Sequence, residues 1–385
     1  MGPAPPPPCH RCGDRAARTS RNASHPLCYG CFGNALKVSV LQSLQGGELL
    51  KAGNGALLVA LSGGCTSLAL LDLLLDVSLV GDAAAPTSPE QLRSLKGKEK
   101  LLANRANRRL SRVVAAHVAD GGGDGDGDPN WNTNALRDAC RVRNVELHVL
   151  SLADATPHLP ALLAAARDAT ARRDVRTLAR TRLLARTARE LGCATLLSGE
   201  SLDGAAVRVL TDITEGSHGV NADLGVADLR GLLLDGGPVV LHAMRGITRR
   251  EAALWCFHRG MALATTPPPP PDRRTTLRAC AEALVNSLAA ERRDAALQIV
   301  RAAEKVEAFP AIAFPRGGTA RVVAGAWRAE GALAKSGVHG VALCPLCRAP
   351  LLPRADSGGP CPPCRTNLPH LSSAPLPPLA QVFDA

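Results

Sequence analysis

The stretch Ala56-Leu-Leu-Val-Ala-Leu61-Ser62-Gly63-Gly64-Cys65-Thr66-Ser67 decides the fold. Six apolar residues in a row, after the Gly53-Asn-Gly55 turn, read as a strand buried on both faces, the pattern of a parallel sheet. Two glycines then let the chain turn sharply, and a helix is expected from Ser67 to about Val77. A strand that ends in a glycine turn and opens a helix aims the first helical N–H groups beyond the sheet edge. Those groups carry partial positive charge, and glycine lets a phosphate approach the backbone closely. Ser62, Gly63, Gly64 and Ser67 are therefore the candidate phosphate- or nucleotide-binding loop. The Gly-Lys-Ser/Thr ending of the Walker loop is absent. An ordinary tight strand–helix turn is the plainer alternative.

Working outward, strands are expected at Val113–Val118, Val145–Leu150, Ala194–Leu197 and Val239–Met244. Helices are expected at about 91–110, 134–141, 175–191, 202–214 and 248–260, with one or two more over 276–309. Strands alternating with helices give an α/β fold, a doubly wound parallel sheet. The tract Gly121–Asp128 and the prolines Pro267–Pro271 read as a loop and a linker. The expected division is a cysteine module at 1–50, the α/β domain at 51–265, a helical region at 272–340, a second cysteine module at 341–368 and a Pro-rich disordered tail at 369–385.

Eight of the thirteen cysteines frame this domain. Cys9-x2-Cys12 and Cys28-x2-Cys31 are separated by fifteen residues, and Cys344-x2-Cys347 and Cys361-x2-Cys364 by thirteen. Two such knuckles complete a tetrahedron of thiolates, so each set is a candidate structural zinc site, with an iron–sulfur centre as the alternative at the first. His10, inside the first knuckle, is not expected to be a ligand. The other five, Cys65, Cys140, Cys193, Cys256 and Cys280, form no C-x2-C pair and are expected in the core. Cys65 stands apart because a helix N-terminus stabilises a thiolate.

The net charge of +11 comes from 45 basic and 34 acidic residues, and aromatics are only 2% of the chain. Few aromatics argue against an RNA reader that stacks bases on aromatic platforms. The excess charge lies in two segments, Arg93–Arg112 (eight basic, one acidic) and Arg167–Glu190 (eight basic, three acidic). At helical spacing Leu178, Leu184, Ala185, Ala188 and Leu191 share one arc, and Arg182, Arg186 and Arg189 another, with Arg176 and Arg180 beyond. This arginine arc is a candidate contact for the phosphates of a polyanion or simply the solvated face of a core helix. The opening MGPAPPPPCHRC carries no apolar signal region, and no run reaches the ~18 residues of a membrane helix. A cytoplasmic protein with no membrane partner is expected.

The loop resembles the S-G-G-x-D-S loop of the N-type ATP pyrophosphatases, with Thr66 where that motif carries Asp. Further residues narrow the resemblance. Arg180-Thr-Arg-Leu-Leu184, Leu197-Ser-Gly-Glu-Ser201, Ala205-Ala-Val-Arg-Val-Leu210 and His242-Ala-Met-Arg245, with Glu251 beyond, follow the order of the cytoplasmic tRNA 2-thiolation protein 2 family. That family is the second subunit of the eukaryotic wobble-uridine thiolation complex. The resemblance covers most of Cys9 to Cys364. Gly216-Ser-His-Gly219 departs from the family's G-R-G. The stretch Ala171-Arg-Arg-Asp-Val175 lacks the C-x2-C that the catalytic subunit carries there.

The resemblance implies an adenine nucleotide alpha hydrolase-like fold flanked by two four-Cys zinc modules. It also implies a heterodimer with the catalytic thiolation subunit. The complex would 2-thiolate the wobble uridine (5-methoxycarbonylmethyl-2-thiouridine) of tRNA Lys, Glu and Gln, with sulfur from a thiocarboxylated ubiquitin-related modifier that this chain meets indirectly. Arg180, Arg182, Arg186 and Arg189 are the expected tRNA contacts. No residue is assigned to catalysis. Whether ATP binds this chain is left open, because Thr66 is a poor metal partner where a carboxylate would help hold Mg-ATP. A self-sufficient ATP-dependent ligase of the same superfamily, or a zinc-binding scaffold with a degenerate nucleotide fold, are the alternatives.

Overall fold

The computed structural model describes residues 7–13, 19–21, 25–46, 56–80, 90, 109–119, 131–214, 238–263, 276–307 and 362–368. A short antiparallel hairpin, β1 (Thr19–Arg21) and β2 (His25–Leu27), leads into helix α1 (Tyr29–Gly46). Then come β3 (Ala56–Ala60), α2 (Cys65–Val77), β4 (Leu79–Val80), β5 (Arg109–Leu110), β6 (Arg112–Ala119), α3 (Trp131–Val142) and β7 (Glu146–Ser151). A 3-10 turn at Leu152–Ala155 precedes α4 (Leu159–Ala165), α5 (Ala169–Glu190), β8 (Cys193–Ser198), α6 (Leu202–Thr214), β9 (Val239–Leu241) and α7 (Arg249–His258). The last elements are α8 (Leu277–Glu291), α9 (Ala295–Glu307) and the short α10 (Pro362–Asn367).

Five strands pair in the order β7-β6-β3-β8-β9, every pairing parallel. The sheet starts at its centre, grows outward through β6 and β7, then returns to the other side of β3 for β8 and β9. Such an order leaves a crevice where the winding reverses, between the carboxyl ends of β3 and β8. Strand alternation sends Leu57 and Val59 to one face and Leu58 to the other. The first face is covered by α1, α2, α3 and α7, the second by α4 and α5. Helices α6, α8 and α9 bury a third cluster around Ala206, Val285 and Val300.

The five expected strands are present, as are the expected helices between them apart from the one over 91–110. The differences have local causes. Helix α1 was not expected, yet Phe32, Leu36, Val40 and Leu44 recur every four residues and are fully buried against α2 and α7. The expected helix over 91–110 lies outside the described residues except at its end, where Arg109–Leu110 pair in parallel with Leu79–Val80 and Leu110 is buried. Helix α5 begins six residues earlier than expected, because the Asp168 carboxylate accepts from the Ala171 N–H at 2.9 Å and caps it. The expected strand 239–244 ends at Leu241.

One buried carboxylate ties the first face together. Asp72 of α2 accepts from Arg143 Nε and Nη2 (3.1 and 3.0 Å), Trp255 Nε1 (3.0 Å) and Arg259 Nε (3.0 Å). Its two oxygens thus hold the end of α3 and both the middle and the end of α7. Gly33 of α1 packs on the Trp255 ring so tightly that a Cβ there would stand 2.6 Å from it. No helix among the described residues is long and apolar enough to cross a membrane.

Candidate functional site

The loop after β3 reaches the crevice at the switch point. Leu61 extends β3 by donating its N–H to the Ala116 carbonyl, and its own carbonyl lies 2.7 Å from His117 Nδ1 on β6. Gly63 then adopts φ +83°, a conformation that side chains resist. Gly64 is the N-cap of α2 and has no side chain to cap it, and no acidic residue occupies the first turn. The serines bond within the loop: Ser67 Oγ donates to the Gly64 carbonyl (3.1 Å), accepts from the Ser62 N–H (3.3 Å) and lies 3.2 Å from Ser62 Oγ. Ser67 is buried, whereas Ser62 is exposed. The result is an uncapped helix N-terminus held open by an internal serine pair, an arrangement that fits a phosphate group.

The loop after β8 closes the other side of the crevice. Gly199 lies against the Ser67 backbone, and a Cβ on it would meet Ser67 Cα at 2.7 Å. One residue sequence reasoning missed is Asp203, in the first turn of α6. Its Oδ2 accepts from the Arg249 N–H at 2.6 Å at the start of α7, and burial pushes its carboxyl above the usual range. Thr248 caps the same helix with Glu251 in a reciprocal box. The signal was present as Leu202-Asp203 after a strand, but pairing Asp203 with Arg249 needs the fold.

Cys65 opens α2 with its thiol against the Arg249 carbonyl at 3.8 Å. The helix N-terminus was expected to favour a thiolate there. Burial outweighs it and, against the pull of Arg249, raises the thiol. Cys140, Cys193 and Cys256 are buried as expected, and burial pushes Cys256 up to about 12. Cys280 is exposed on α8, contrary to the core placement expected of it.

The N-terminal cysteines converge. The ligand atoms of Cys9, Cys12, Cys28 and Cys31 lie within 4.8 Å of one another, with Cys12 and Cys28 sulfurs 3.8 Å apart. Four thiolates about 2.3 Å from one tetrahedral ion stand about 3.8 Å apart, so the set fits a single metal ion. Backbone N–H groups of Cys28, Cys12 and Arg11 pull the Cys9 thiol down to about 6, which suits it to bind metal as thiolate. Cys31 sits in the first turn of α1, so the metal group is joined directly to the helix that packs on the sheet. His10 is outside the set, stacked on His25 at 3.8 Å between centroids. Of the second set, Cys344, Cys347 and Cys361 lie outside the described residues. Cys364, on α10, packs against the α4–α5 face, and the Asn367 side chain donates to Asp174 at 3.1 Å.

The arginine arc of α5 is not uniformly exposed. Ala171, Val175 and Ala179 are buried and, at spacings of four and three, share one face with Arg182, Arg186 and Arg189. Arg182 and Arg186 are consequently half-buried, and only Arg189 is fully exposed. Arg186 donates to the Asp154 carbonyl and lies 3.9 Å from Glu190. Arg180 is half-buried and Arg176 exposed. Most of segment 93–112 lies outside the described residues, as do Gly121–Asp128, Gly216–Gly219, Pro267–Pro271 and the tail.

The sequence matches no family profile and no curated protein. The fold is similar to that of the U34-tRNA thiolase NcsA from Methanococcus maripaludis, solved with its 4Fe-4S cluster. The match has a TM-score of 0.54 and 18% identity and covers 78% of this chain and 87% of that one. An NMN synthetase from Francisella tularensis matches at a TM-score of 0.38 and 10% identity over 73% of this chain and 94% of the other, too distant to carry an argument. Sheet order, loop and first match agree on the pyrophosphatase-loop α/β fold.

Proposed function

We propose that this chain is the partner subunit of a wobble-uridine tRNA thiolation complex, contributing tRNA contacts and complex stability to a separate catalytic subunit. The observation that carries the reading is the phosphate loop itself. It keeps an open helix N-terminus and the glycine geometry, but carries Thr66 where Mg-ATP chemistry favours a carboxylate. The stretch 171–175, in the first two turns of α5, carries no cysteine pair for handling sulfur. The fold shared with a U34-tRNA thiolase supports the same reading. If ATP binds this chain, Gly63, Gly64 and the first turn of α2 would hold its phosphates. Zinc is the ion proposed for Cys9, Cys12, Cys28 and Cys31, in a structural role, because all four positions are filled by protein.

The tRNA part of the reading is tested by salt-dependent binding of the complex with its catalytic partner. Arg189 is the exposed member of the arc, so Arg189→Gln removes a phosphate contact at little cost to folding. The slope of log K against log salt should flatten by about 0.7 to 0.9, equally for every tRNA. An unchanged slope and affinity would make this face of α5 a solvated surface only.

A further inference from the structure

Beside the phosphate loop, at the carboxyl ends of β8 and β9, lies a second group of charged side chains with no role in the foregoing account. Glu200 follows β8 in the Gly199-Glu200-Ser201 turn, its side chain more than nine-tenths buried and ion-paired with Arg208 of α6. His242 follows β9 directly and is 5% exposed. Its Nδ1 stands 3.9 Å from Glu200 Oε2, too far for a hydrogen bond, and among the described residues neither ring nitrogen has a hydrogen-bond partner. Arg208 Nη1 is likewise buried without one among the described residues. Arg278, in the first turn of α8, is half-buried and lies within electrostatic reach of Glu200, Arg208 and the exposed Arg173 of α5. Glu282, the other carboxylate near Arg278, is engaged by Arg249 at 3.2 Å.

Buried polar groups are nearly always paired, so Arg208 Nη1 and the two His242 nitrogens, one a donor and one an acceptor in the neutral ring, call for a ligand. The charges say which kind. Arg208 and Arg278 face one carboxylate, with Arg245 also near His242, leaving the cluster net positive. Water could supply hydrogen bonds but no charge. A second carboxylate ligand would offer two oxygens in one plane. A tetrahedral oxyanion offers three or more acceptors in different directions and the missing negative charge, and guanidinium forks suit it. The cations also form a path inward, from exposed Arg173 to half-buried Arg278 and Arg208, whose Nη1 atom is buried.

We propose that Arg208, Arg278 and His242, with Glu200 orienting Arg208, form a phosphate-binding subsite separate from the Ser62–Ser67 loop. The neutral imidazole donates one N–H to the phosphate, and the two guanidiniums supply charge-assisted bonds. The phosphate belongs to an RNA backbone or to a nucleotide. The RNA source rests on the function proposed above, while the subsite itself rests on the geometry alone.

The test uses the full chain with isotope-labelled histidine imidazoles, the His242 signals being assigned by their loss in His242→Gln. Inorganic phosphate should shift those signals saturably, whereas chloride at equal ionic strength should not. Arg278→Gln, on a half-exposed helical position, should weaken the effect at least tenfold, with the melting temperature confirming that it folds. An unmodified tRNA transcript and ATP are then tried as competitors. Displacement by tRNA at micromolar concentration assigns the site to RNA backbone, and displacement by ATP alone assigns it to a nucleotide. His242 signals that ignore phosphate, an Arg278→Gln variant that binds as before, or phosphate that neither competitor displaces (an adventitious ion only) would each overturn the subsite. None of these results bears on thiolation in the reconstituted complex, so the two readings fail separately.

Discussion

Gly199 lies so close to Ser67 that a Cβ on it would stand 2.7 Å from the Ser67 Cα and 2.9 Å from its nitrogen. Ser67 lies in the first turn of α2, after β3, and Gly199 in the loop after β8, so their contact joins the two sides of the crevice at the switch point. Gly199→Ala should force the β8 loop away from the start of α2. Overpacking of this kind costs about 1–3 kcal/mol. The expected outcome is a lower urea midpoint together with weakened phosphate binding at the loop. Wild-type stability in this variant would mean that the two loops part freely.

The sheet and its loop were legible in the sequence because both rest on local pattern. Ala56–Leu61 is uniformly apolar, and the glycines mark the turn. The cysteine spacing fixed the metal group in the same way. What the sequence hid depends on neighbours. The stripe Phe32-Leu36-Val40-Leu44 was masked by the polar and small residues between its members. The arc of Arg182, Arg186 and Arg189 looked separate because Leu184, Ala185 and Ala188, buried as expected, already supplied a core face, whereas α5 buries a second stripe as well. In the fold, the small residues Ala171, Val175 and Ala179 are buried on the same face as those arginines. Asp203 meets Arg249, and His242 approaches Glu200, across more than forty residues; the motifs that hold Glu200 and His242 could be read in the sequence, but their convergence needs the fold.

Acid should destabilise the protein through the cluster at the ends of β8 and β9. Burial, eased in part by Glu200, lowers His242 from 6.5 to about 4. Between those values the unfolded chain takes up a proton that the folded chain refuses, so stability falls as pH drops from 6.5 toward 4. Glu200 acts in the same direction. Burial works to raise its carboxyl, but Arg208, His242 and Arg278 prevail and hold it low, and the stability this gives is lost as pH falls. The His242 part is worth on the order of 2–3 kcal/mol across that window. Urea unfolding at pH 7 and pH 5 measures it, and His242→Gln should flatten the difference. An equal pH slope in the variant would show that His242 is not the group responsible.

Elemental analysis of the purified chain should find close to two zinc ions, one for each four-cysteine set. Cys28→Ser should remove one of them and loosen α1, whose first turn carries Cys31. Because only thiolates ligate, metal should be lost as the pH falls. A brown iron chromophore, or less than one zinc per chain, would contradict the assignment.

The central claim is that this chain supports thiolation without performing it. The direct measurement is 2-thiouridine in tRNA, read by mass spectrometry after reaction with ATP and a sulfur donor. Three samples are compared: this chain alone, the catalytic partner alone and the two together. The account predicts no product from this chain alone, even as Thr66→Asp, and much more product from the pair than from the partner. Turnover by the single chain above a no-enzyme control, or a partner that works equally well without it, would contradict the account.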